Sequence, residues 1–254
     1  MSSQDQNQLQ GRVALVTGAN RGIGRAIVEE LLERGAAKVY AGARNPDTLA
    51  ALVSAGGGRV VPVRLDVTDG DQVKAAAAQA TDVDLLINNA GVAVHAFAAF
   101  DDPAWLESGR REYETNALGT LRVSQAFAPA LARNGGGTVV NVISVAGLIN
   151  FPIFLAYASS KAAQHSITQG MRAMLAAQGT RVVGVYPGPV DTDMAERVEL
   201  EKVSPASVAV AIFDGLATGA EEIYPDPFAL QIGATYATSP KALEQHNAPP
   251  ELAA

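Results

Sequence analysis

The sequence predicts an α/β fold, a doubly wound Rossmann-like parallel sheet of about seven strands with helices on both faces. Three observations support this prediction. Short apolar runs recur along the chain, segments with helical spacing of apolar residues separate them, and a glycine-rich turn joins the first run to the first helical segment. Strands that alternate with helices are typical of a parallel sheet covered on both faces, and ligands of such sheets bind at the carboxyl ends of the strands.

Each predicted strand is a short run rich in valine, leucine, isoleucine or alanine. These runs are 12–17, 38–43, 59–66, 83–88, 138–144, 181–186 and 221–224. The predicted helices are 22–34, 46–55, 69–80, 103–133, 157–178 and 204–218. No linker or repeat interrupts this alternation, so we expect a single domain over 1–254, with flexible termini at 1–10 and 245–254.

Composition argues against several classes of function. The net charge of −7 over 254 residues disfavours nucleic acid and anionic membranes as main partners. The absence of cysteine excludes disulfides and thiolate chemistry, and three scattered histidines make a transition-metal site unexpected. No signal segment or run of about 20 apolar residues is present. We therefore expect a cytoplasmic protein without a metal.

The glycine-rich turn spans 17–24 and reads Thr-Gly-Ala-Asn-Arg-Gly-Ile-Gly. Glycines let the backbone turn sharply, and the free amides and positive dipole of the following helix attract an anion such as a pyrophosphate. The spacing Gly-x-x-x-Gly-x-Gly differs from the common Gly-x-Gly-x-x-Gly fingerprint. A plain connection between strand and helix is the alternative interpretation.

The end of the second predicted strand bears on the choice of cofactor. An NAD site places a carboxylate there to bind the ribose hydroxyls, whereas a 2′-phosphate is attracted by guanidinium. Here Ala43 takes the carboxylate position, Arg44 follows it, and Arg21 lies in the glycine turn. These residues favour NADP, unless both arginines are solvated surface residues.

Two further strand ends carry polar residues. Asp66, followed by Val67, offers a carboxylate to an adenine amino group, or caps the next helix in competition with Thr68. The segment 88–91 reads Asn-Asn-Ala-Gly, in which small residues allow a cofactor to approach the backbone and the asparagines can pin neighbouring strands.

A serine, a tyrosine and a lysine suggest acid–base chemistry. Ser144 ends a predicted strand, and Tyr157 and Lys161 stand one helical turn apart on one face. An ammonium at ~4 Å stabilises a phenolate by roughly 4 kcal/mol at an effective dielectric of ~20, which is an upper bound of about three pKa units. We therefore expect Lys161 to lower the pKa of Tyr157.

From about 11 to about 224 the chain resembles the short-chain dehydrogenase/reductase family, on the strength of the glycine turn, the Asn-Asn-Ala-Gly segment, Ser144, the Tyr157–Lys161 pair and a proline–glycine turn at 187–192. The resemblance implies that Tyr157 is the general acid/base and that Lys161 lowers its pKa while holding the nicotinamide ribose. It also implies that Ser144 binds the substrate oxygen and that Asn116 holds a water between Lys161 and solvent.

The motifs and the resemblance together give a set of expected cofactor-binding residues. They are Thr17, Gly18, Asn20, Arg21, Gly22, Ile23, Gly24, Arg44, Asp66, Val67, Asn88, Ala90, Gly91, Tyr157, Lys161, Pro187, Gly188, Val190 and Thr192. In the last turn, the backbone of Val190 and the hydroxyl of Thr192 would grip the carboxamide of the nicotinamide. The cofactor implied is NADP, with NADPH preferred over NADH.

The residues after these motifs suggest the substrate. Val145, Phe151, Phe154 and Met194 are expected to line an apolar pocket, and 193–203 to form a substrate loop. The apolar lining favours a hydrophobic ketone, aldehyde or secondary alcohol as substrate. The resemblance then implies a carbonyl reductase-like oxidoreductase that transfers a hydride between the nicotinamide and such a substrate, with reduction of a ketone or aldehyde as the expected reaction. His95 is expected at the rim.

The family resemblance also implies a homodimer or homotetramer, formed through the fourth and fifth helices. An NADP-binding sensor without turnover is the alternative function. The tail over 226–247 has no counterpart that the resemblance explains.

Overall fold

The computed structural model describes residues 9–94 and 100–246, which form one seven-stranded parallel sheet in the order β3-β2-β1-β4-β5-β6-β7. The strands are β1 (Val13–Thr17), β2 (Lys38–Ala43), β3 (Val60–Arg64), β4 (Leu85–Asn88), β5 (Thr138–Val142), β6 (Arg181–Val185) and β7 (Glu222–Ile223). The predicted fold class is confirmed. The order reverses between β1 and β4, which is the point where sheets of this kind bind ligands.

Helices cover both faces of the sheet. They are α1 (Gly22–Glu33), α2 (Ala50–Ala55), α3 (Gly70–Gln79), α4 (Ala104–Glu112), α5 (Gly119–Arg133), α6 (Leu155–Leu175), α7 (Pro205–Ala217), α8 (Pro227–Thr238) and α9 (Pro240–His246). One apolar cluster packs α1 and α7 on one face, and a second packs α3, α5 and α6 on the other. The strands β1, β4, β5 and β6 are buried almost completely, including the polar residues Thr17 and Asn88 that end β1 and β4.

The helix predicted over 103–133 is divided. A π-helical segment, Tyr113–Leu118, separates α4 from α5. It places Asn116 in the interior, and the backbone carbonyl of Asn116 accepts a hydrogen bond from the Thr120 hydroxyl at 2.8 Å. Single π turns within α-helices are frequent at functional sites.

The C-terminal tail forms two helices that sequence reasoning did not place. Buried residues of α8, Ala229 and Ile232, pack against Ile143, Ile149 and Tyr186 and form a third apolar cluster. The tail is therefore joined to the loops that follow β5 and β6. At the other end of the chain, Leu9 is buried in the core, although the sequence analysis placed it in a flexible terminus.

Some expectations fall on residues outside the described ranges. These are the rest of the N-terminal prediction over 1–8, the C-terminal prediction over 247–254, and the rim position of His95.

Candidate active site

A cleft of about 1430 Å³ opens at the carboxyl ends of the strands. It brings together most of the residues that the sequence analysis selected. Those lining it are Gly18, Asn20, Arg21, Gly22, Ile23, Gly24, Arg44, Asp66, Val67, Ala90, Gly91, Ser144, Val145, Phe151, Phe154, Tyr157, Lys161, Pro187, Gly188, Val190, Thr192 and Met194. Thr17, Asn88 and Asn116 lie behind its wall, where each makes hydrogen bonds within the protein.

The glycine turn forms one wall of the cleft. Gly18 and Gly22 adopt positive φ angles of 66° and 53°, a region that side chains rarely allow. A Cβ on Gly24 would lie 2.2 Å from the carbonyl oxygen of Gly18, so α1 packs directly on the turn. The missing side chains therefore let the turn, α1 and the residues after β4 pack closely at this wall.

The N-terminus of α1 borders the cleft and suits an anion. Among the described residues no side chain caps this terminus, and its first turn carries no acidic residue. Free amides and the positive end of the helix dipole therefore remain available for a phosphate. A dinucleotide pyrophosphate fits this cradle in both shape and charge.

Arg21 has a partner across the cleft. Its Nη1 lies 2.7 Å from Oδ2 of Asp193, in the segment after the proline–glycine turn, and both side chains are largely exposed. An exposed pair of this kind contributes up to about 1 kcal/mol. Arg21 can therefore exchange this partner for a phosphate at little cost.

The far end of the cleft is formed by the ends of β2 and β3. Ala43 is buried and Arg44 is exposed beside it, so no carboxylate follows β2. Asp66 lines the cleft, but its Oδ1 accepts hydrogen bonds from the backbone N–H and the hydroxyl of Thr68. The predicted cap is wrong, because Asp69 caps α3 through the N–H groups of Asp71 and Gln72.

The side chains of Thr17 and Asn88 are buried and form hydrogen bonds with other protein groups. The hydroxyl of Thr17 accepts hydrogen bonds from the N–H groups of Asn89 and Ala90, both at 3.0 Å, which shape the β4 loop. The side-chain amide of Asn88 donates to Ser124 and Asn141, both at 2.9 Å. The side chain of Asn88 thus joins β4 to α5 and β5. It does not line the cleft, whereas the predicted role in cofactor binding requires that it does.

Ser144 and Tyr157 meet at the floor of the cleft. Ser144 follows β5, and its hydroxyl accepts from the N–H of Ala146 at 3.1 Å. Tyr157 lies in the first turn of α6 and is half-buried. Burial raises the pKa of Tyr157 to about 12, a hydrogen bond with Ser144 acts in the opposite direction, and Glu112 raises it further.

The pKa of Tyr157 is raised and not lowered as expected from Lys161, because burial of the phenol is the largest influence on it. The Lys161 ammonium lies 5.8 Å from the centre of the Tyr157 ring. It donates to the Val142 carbonyl at 3.1 Å and to Oε1 of Gln164 at 2.8 Å. Burial also lowers the pKa of Lys161 to about 7.

Asn116 is held by protein groups. Its amide donates to the Val92 carbonyl and to the Ser160 hydroxyl, both at 2.9 Å, and its Oδ1 accepts from the N–H of Val92 at 2.8 Å. Its backbone carbonyl is bonded to Thr120. The side chain therefore anchors the β4 loop to α6, and the water site predicted for this residue remains a prediction.

Glu112, which the sequence analysis missed, is fully buried at the end of α4. One carboxyl oxygen accepts from the N–H of Val94, and the other has no hydrogen-bond partner within the described chain. Burial raises the pKa of this carboxyl to about 7. Its neighbours in the sequence, Arg111 and Tyr113, gave no signal that the glutamate would be buried.

The proline–glycine turn is fixed from two sides. The Pro187 carbonyl accepts from the N–H of Val145 at 3.0 Å, and the N–H of Gly188 donates to Asp226 at 2.8 Å. The Thr192 hydroxyl donates to the Val190 carbonyl at 3.3 Å. Asp226 was missed because it lies far along the chain from the turn it holds.

Apolar residues line the part of the cleft where the sequence predicts the substrate. Val145, Phe151, Phe154 and Met194 all line it, as do other residues of the predicted loop 193–203. Phe228, from the start of α8, joins them. Phe228 could not be predicted from the sequence, since nothing local in the chain connects the tail with the cleft.

Comparisons with known proteins agree with this geometry. Residues 12–202 match the short chain dehydrogenase family. The chain is 36% identical over 194 residues to an uncharacterised oxidoreductase of Methylorubrum extorquens, covering 74% of this chain and 76% of that protein.

Two solved structures are similar as well. One is a short chain dehydrogenase from Burkholderia cenocepacia in complex with NADP, with 41% identity and a TM-score of 0.87, covering 96% of this chain and 100% of that one. The other is a short chain dehydrogenase/reductase from Burkholderia phymatum in complex with NAD, with 29% identity and a TM-score of 0.81, covering 95% and 97%. Within residues 9–94 and 100–246, no helix has the length and apolar character to cross a bilayer.

Proposed function

Because this chain belongs to the short-chain dehydrogenase/reductase family, and is thus an oxidoreductase acting on CH–OH or C=O groups, we propose that it reduces a small hydrophobic ketone or aldehyde with NADPH. The observation that carries this proposal is the meeting of the Ser144 and Tyr157 hydroxyls, with Lys161 one turn away, at the apolar end of the cleft.

The residues divide the chemistry among them. When bound, the nicotinamide supplies the hydride. Tyr157 gives a proton to the substrate oxygen, since a pKa of about 12 keeps its phenol protonated at neutral pH. Ser144 donates a hydrogen bond to the same oxygen, and the ammonium of Lys161 stabilises the negative charge that Tyr157 acquires.

The preference for NADP rests on the arginines. Arg44 is exposed at the end of β2, where an NAD site would carry a carboxylate. Arg21 forms an exposed salt bridge with Asp193, and a phosphate can replace Asp193 as its partner. The relative from Burkholderia cenocepacia, which binds NADP, supports this choice, whereas the one from Burkholderia phymatum binds NAD. The residues expected to hold the cofactor are the cleft-lining ones given above.

The proposal is tested by following NADPH oxidation at 340 nm across a panel of ketones and aldehydes that differ in size and polarity. We expect turnover of apolar carbonyls and a higher kcat/KM with NADPH than with NADH. A thermal shift by NADPH without turnover of any carbonyl would favour the NADP-binding sensor instead. A preference for NADH would refute the role of Arg21 and Arg44.

The expected oligomer has a candidate surface. Leu106, Tyr113 and Leu118 expose apolar area along α4 and the π-helical segment, with 69%, 45% and 37% of each residue accessible. We propose that a second copy covers this face. Light scattering should then show a dimer or tetramer, and Leu106→Glu should shift the mass towards the monomer; an unchanged mass would contradict this surface.

The cytoplasmic location stays a prediction.

A further inference from the structure

A chain of buried hydrogen bonds starts at Lys161. Its ammonium donates to Oε1 of Gln164 at 2.8 Å, and Nε2 of Gln164 donates to the Thr120 hydroxyl at 2.9 Å. The Thr120 hydroxyl then donates to the Asn116 carbonyl at 2.8 Å. All four residues are buried, so these groups have no bulk water as an alternative partner.

The direction of each bond in this chain is determined. The single proton of the Thr120 hydroxyl goes to the Asn116 carbonyl, which can only accept. Thr120 must therefore accept from Gln164, and this places the NH₂ group of Gln164 at Thr120 and its oxygen at Lys161. The amide cannot turn over without breaking both of its bonds.

Gln164 also supplies a hydrogen-bond acceptor to the buried ammonium of Lys161. The Lys161 ammonium also donates to the Val142 carbonyl from β5 and lies 5.8 Å from the ring centre of Tyr157, in α6 itself. Glu112 of α4, which raises the pKa of Tyr157, accepts a hydrogen bond from the N–H of Val94. The oxygens of Val142 and Gln164 are thus the acceptors that offset the burial of this charge.

We propose that Gln164 is a positioning residue of the active site, which keeps Lys161 charged and fixed beside Tyr157 by linking it through Thr120 to the π-helical segment. The role in turnover rests on the proposed function. The effect on Lys161 itself does not, because it follows from the hydrogen bonds alone.

Three variants separate this role from a general contribution to folding. Gln164→Leu keeps the size of the side chain and removes the acceptor, whereas Gln164→Glu replaces it with a negative acceptor. Thr168→Val is the matched control, because Thr168 is buried one turn further along α6 and bonds Asn141 and the Gln164 carbonyl without touching Lys161.

The first measurement needs neither cofactor nor substrate. The free energy of unfolding in urea is recorded from pH 5 to pH 10 for each variant, with Lys161→Met as the reference that lacks the titrating group. Because the folded-state pKa of Lys161 lies at about 7, below that of the unfolded chain, stability should rise with pH above about 7.

The proposal predicts shifts of opposite sign. Gln164→Leu should move the onset of this rise to lower pH by about one unit, roughly tenfold in the protonation equilibrium, and Gln164→Glu should move it to higher pH. Thr168→Val should leave the onset unchanged. Equal onsets in all variants, or shifts of the same sign for Leu and Glu, would overturn the proposal. If Gln164→Leu does not fold, the Glu variant decides by itself.

The second measurement is the pH profile of kcat/KM for carbonyl reduction. A charged Lys161 is required, so activity should fall as pH rises through the pKa of Lys161, and the variants should move this limb in the same directions as the unfolding onset. A protein that shows the unfolding shifts but no turnover would contradict the proposed function and leave the positioning of Lys161 supported.

Discussion

Oδ2 of Asp226 accepts a hydrogen bond from the backbone N–H of Gly188 at 2.8 Å, while Oδ1 of the same carboxylate caps α8 through the N–H of Ala229. Gly188 lines the cleft, and a Cβ there would lie 2.7 Å from Oδ1 of Asp226. The C-terminal helices therefore hold the turn that borders the expected nicotinamide site, and the tail is part of the site's support.

Replacing Asp226 with alanine should weaken both stability and cofactor binding. Loss of a cap and of a charged hydrogen bond to the half-buried amide of Gly188 should cost about 2–4 kcal/mol of unfolding free energy, and the KM for NADPH should rise roughly tenfold. Urea unfolding and steady-state kinetics measure the two effects.

Asp69→Ala is the control for this prediction. Asp69 caps α3 through two N–H groups but does not touch the cleft. This variant should be less stable because the cap is lost, without a change in KM. Equal effects of the two variants on KM would show that Asp226 acts only as a cap.

Gly24→Ala should disrupt the phosphate cradle. The new Cβ would lie 2.2 Å from the Gly18 carbonyl oxygen, so the turn must move, at a cost of roughly 1–3 kcal/mol and with loss of NADPH binding. Gly170→Ala, in the exposed interior of α6 with no atom within 4 Å of the new Cβ, should instead gain about 0.5–1 kcal/mol. Thermal unfolding and NADPH fluorescence titration check both. Normal NADPH affinity in Gly24→Ala would count against the cradle.

Glu112 should make stability depend on pH. Its folded-state pKa of about 7 lies above that of an unfolded glutamate, so the unfolded chain loses its proton first as pH rises. The stability that Glu112 contributes is therefore fully present below about pH 4 and is lost as pH rises to about 7, by up to roughly 3 kcal/mol. Glu112→Gln should remove this slope. Denaturation at several pH values measures it, and an unchanged slope would argue against a buried, protonated carboxyl.

Arg44→Ser should reduce the preference for NADPH. Loss of a charged hydrogen bond to the 2′-phosphate should lower kcat/KM with NADPH by roughly ten- to a hundredfold, with little change for NADH. Arg133→Ser removes an exposed arginine outside the cleft and is the control. A similar loss with both cofactors would indicate that Arg44 does not contact the phosphate.

The parts of the site that are local in sequence were predictable. The glycine turn, the spacing of Tyr157 and Lys161 and the alternation of strands and helices each depend on a few neighbouring residues, and the predicted fold class is confirmed. Ser144, 13 residues before Tyr157, could be placed because both lie at the carboxyl edge of the sheet.

What could not be predicted depends on distant contacts or on burial. Asp226 reaches Gly188 across 38 residues, and Gln164 reaches Thr120 across 44. The spacing of Tyr157 and Lys161 predicts a lowered pKa for Tyr157, but the pKa is raised because burial removes water from the phenol. Spacing along a helix shows which side chains are neighbours, but not how much water they lose.

Turnover by Tyr157→Phe tests the central claim most directly, that the Tyr157 hydroxyl delivers the proton to the carbonyl oxygen. We expect kcat for NADPH-dependent carbonyl reduction to fall by at least about 100-fold while the dissociation constant of NADPH stays within about threefold. Tyr113→Phe, which removes an exposed hydroxyl on the π-helical segment, should match the wild type. A Tyr157→Phe enzyme that keeps more than about half of the normal kcat would contradict the account.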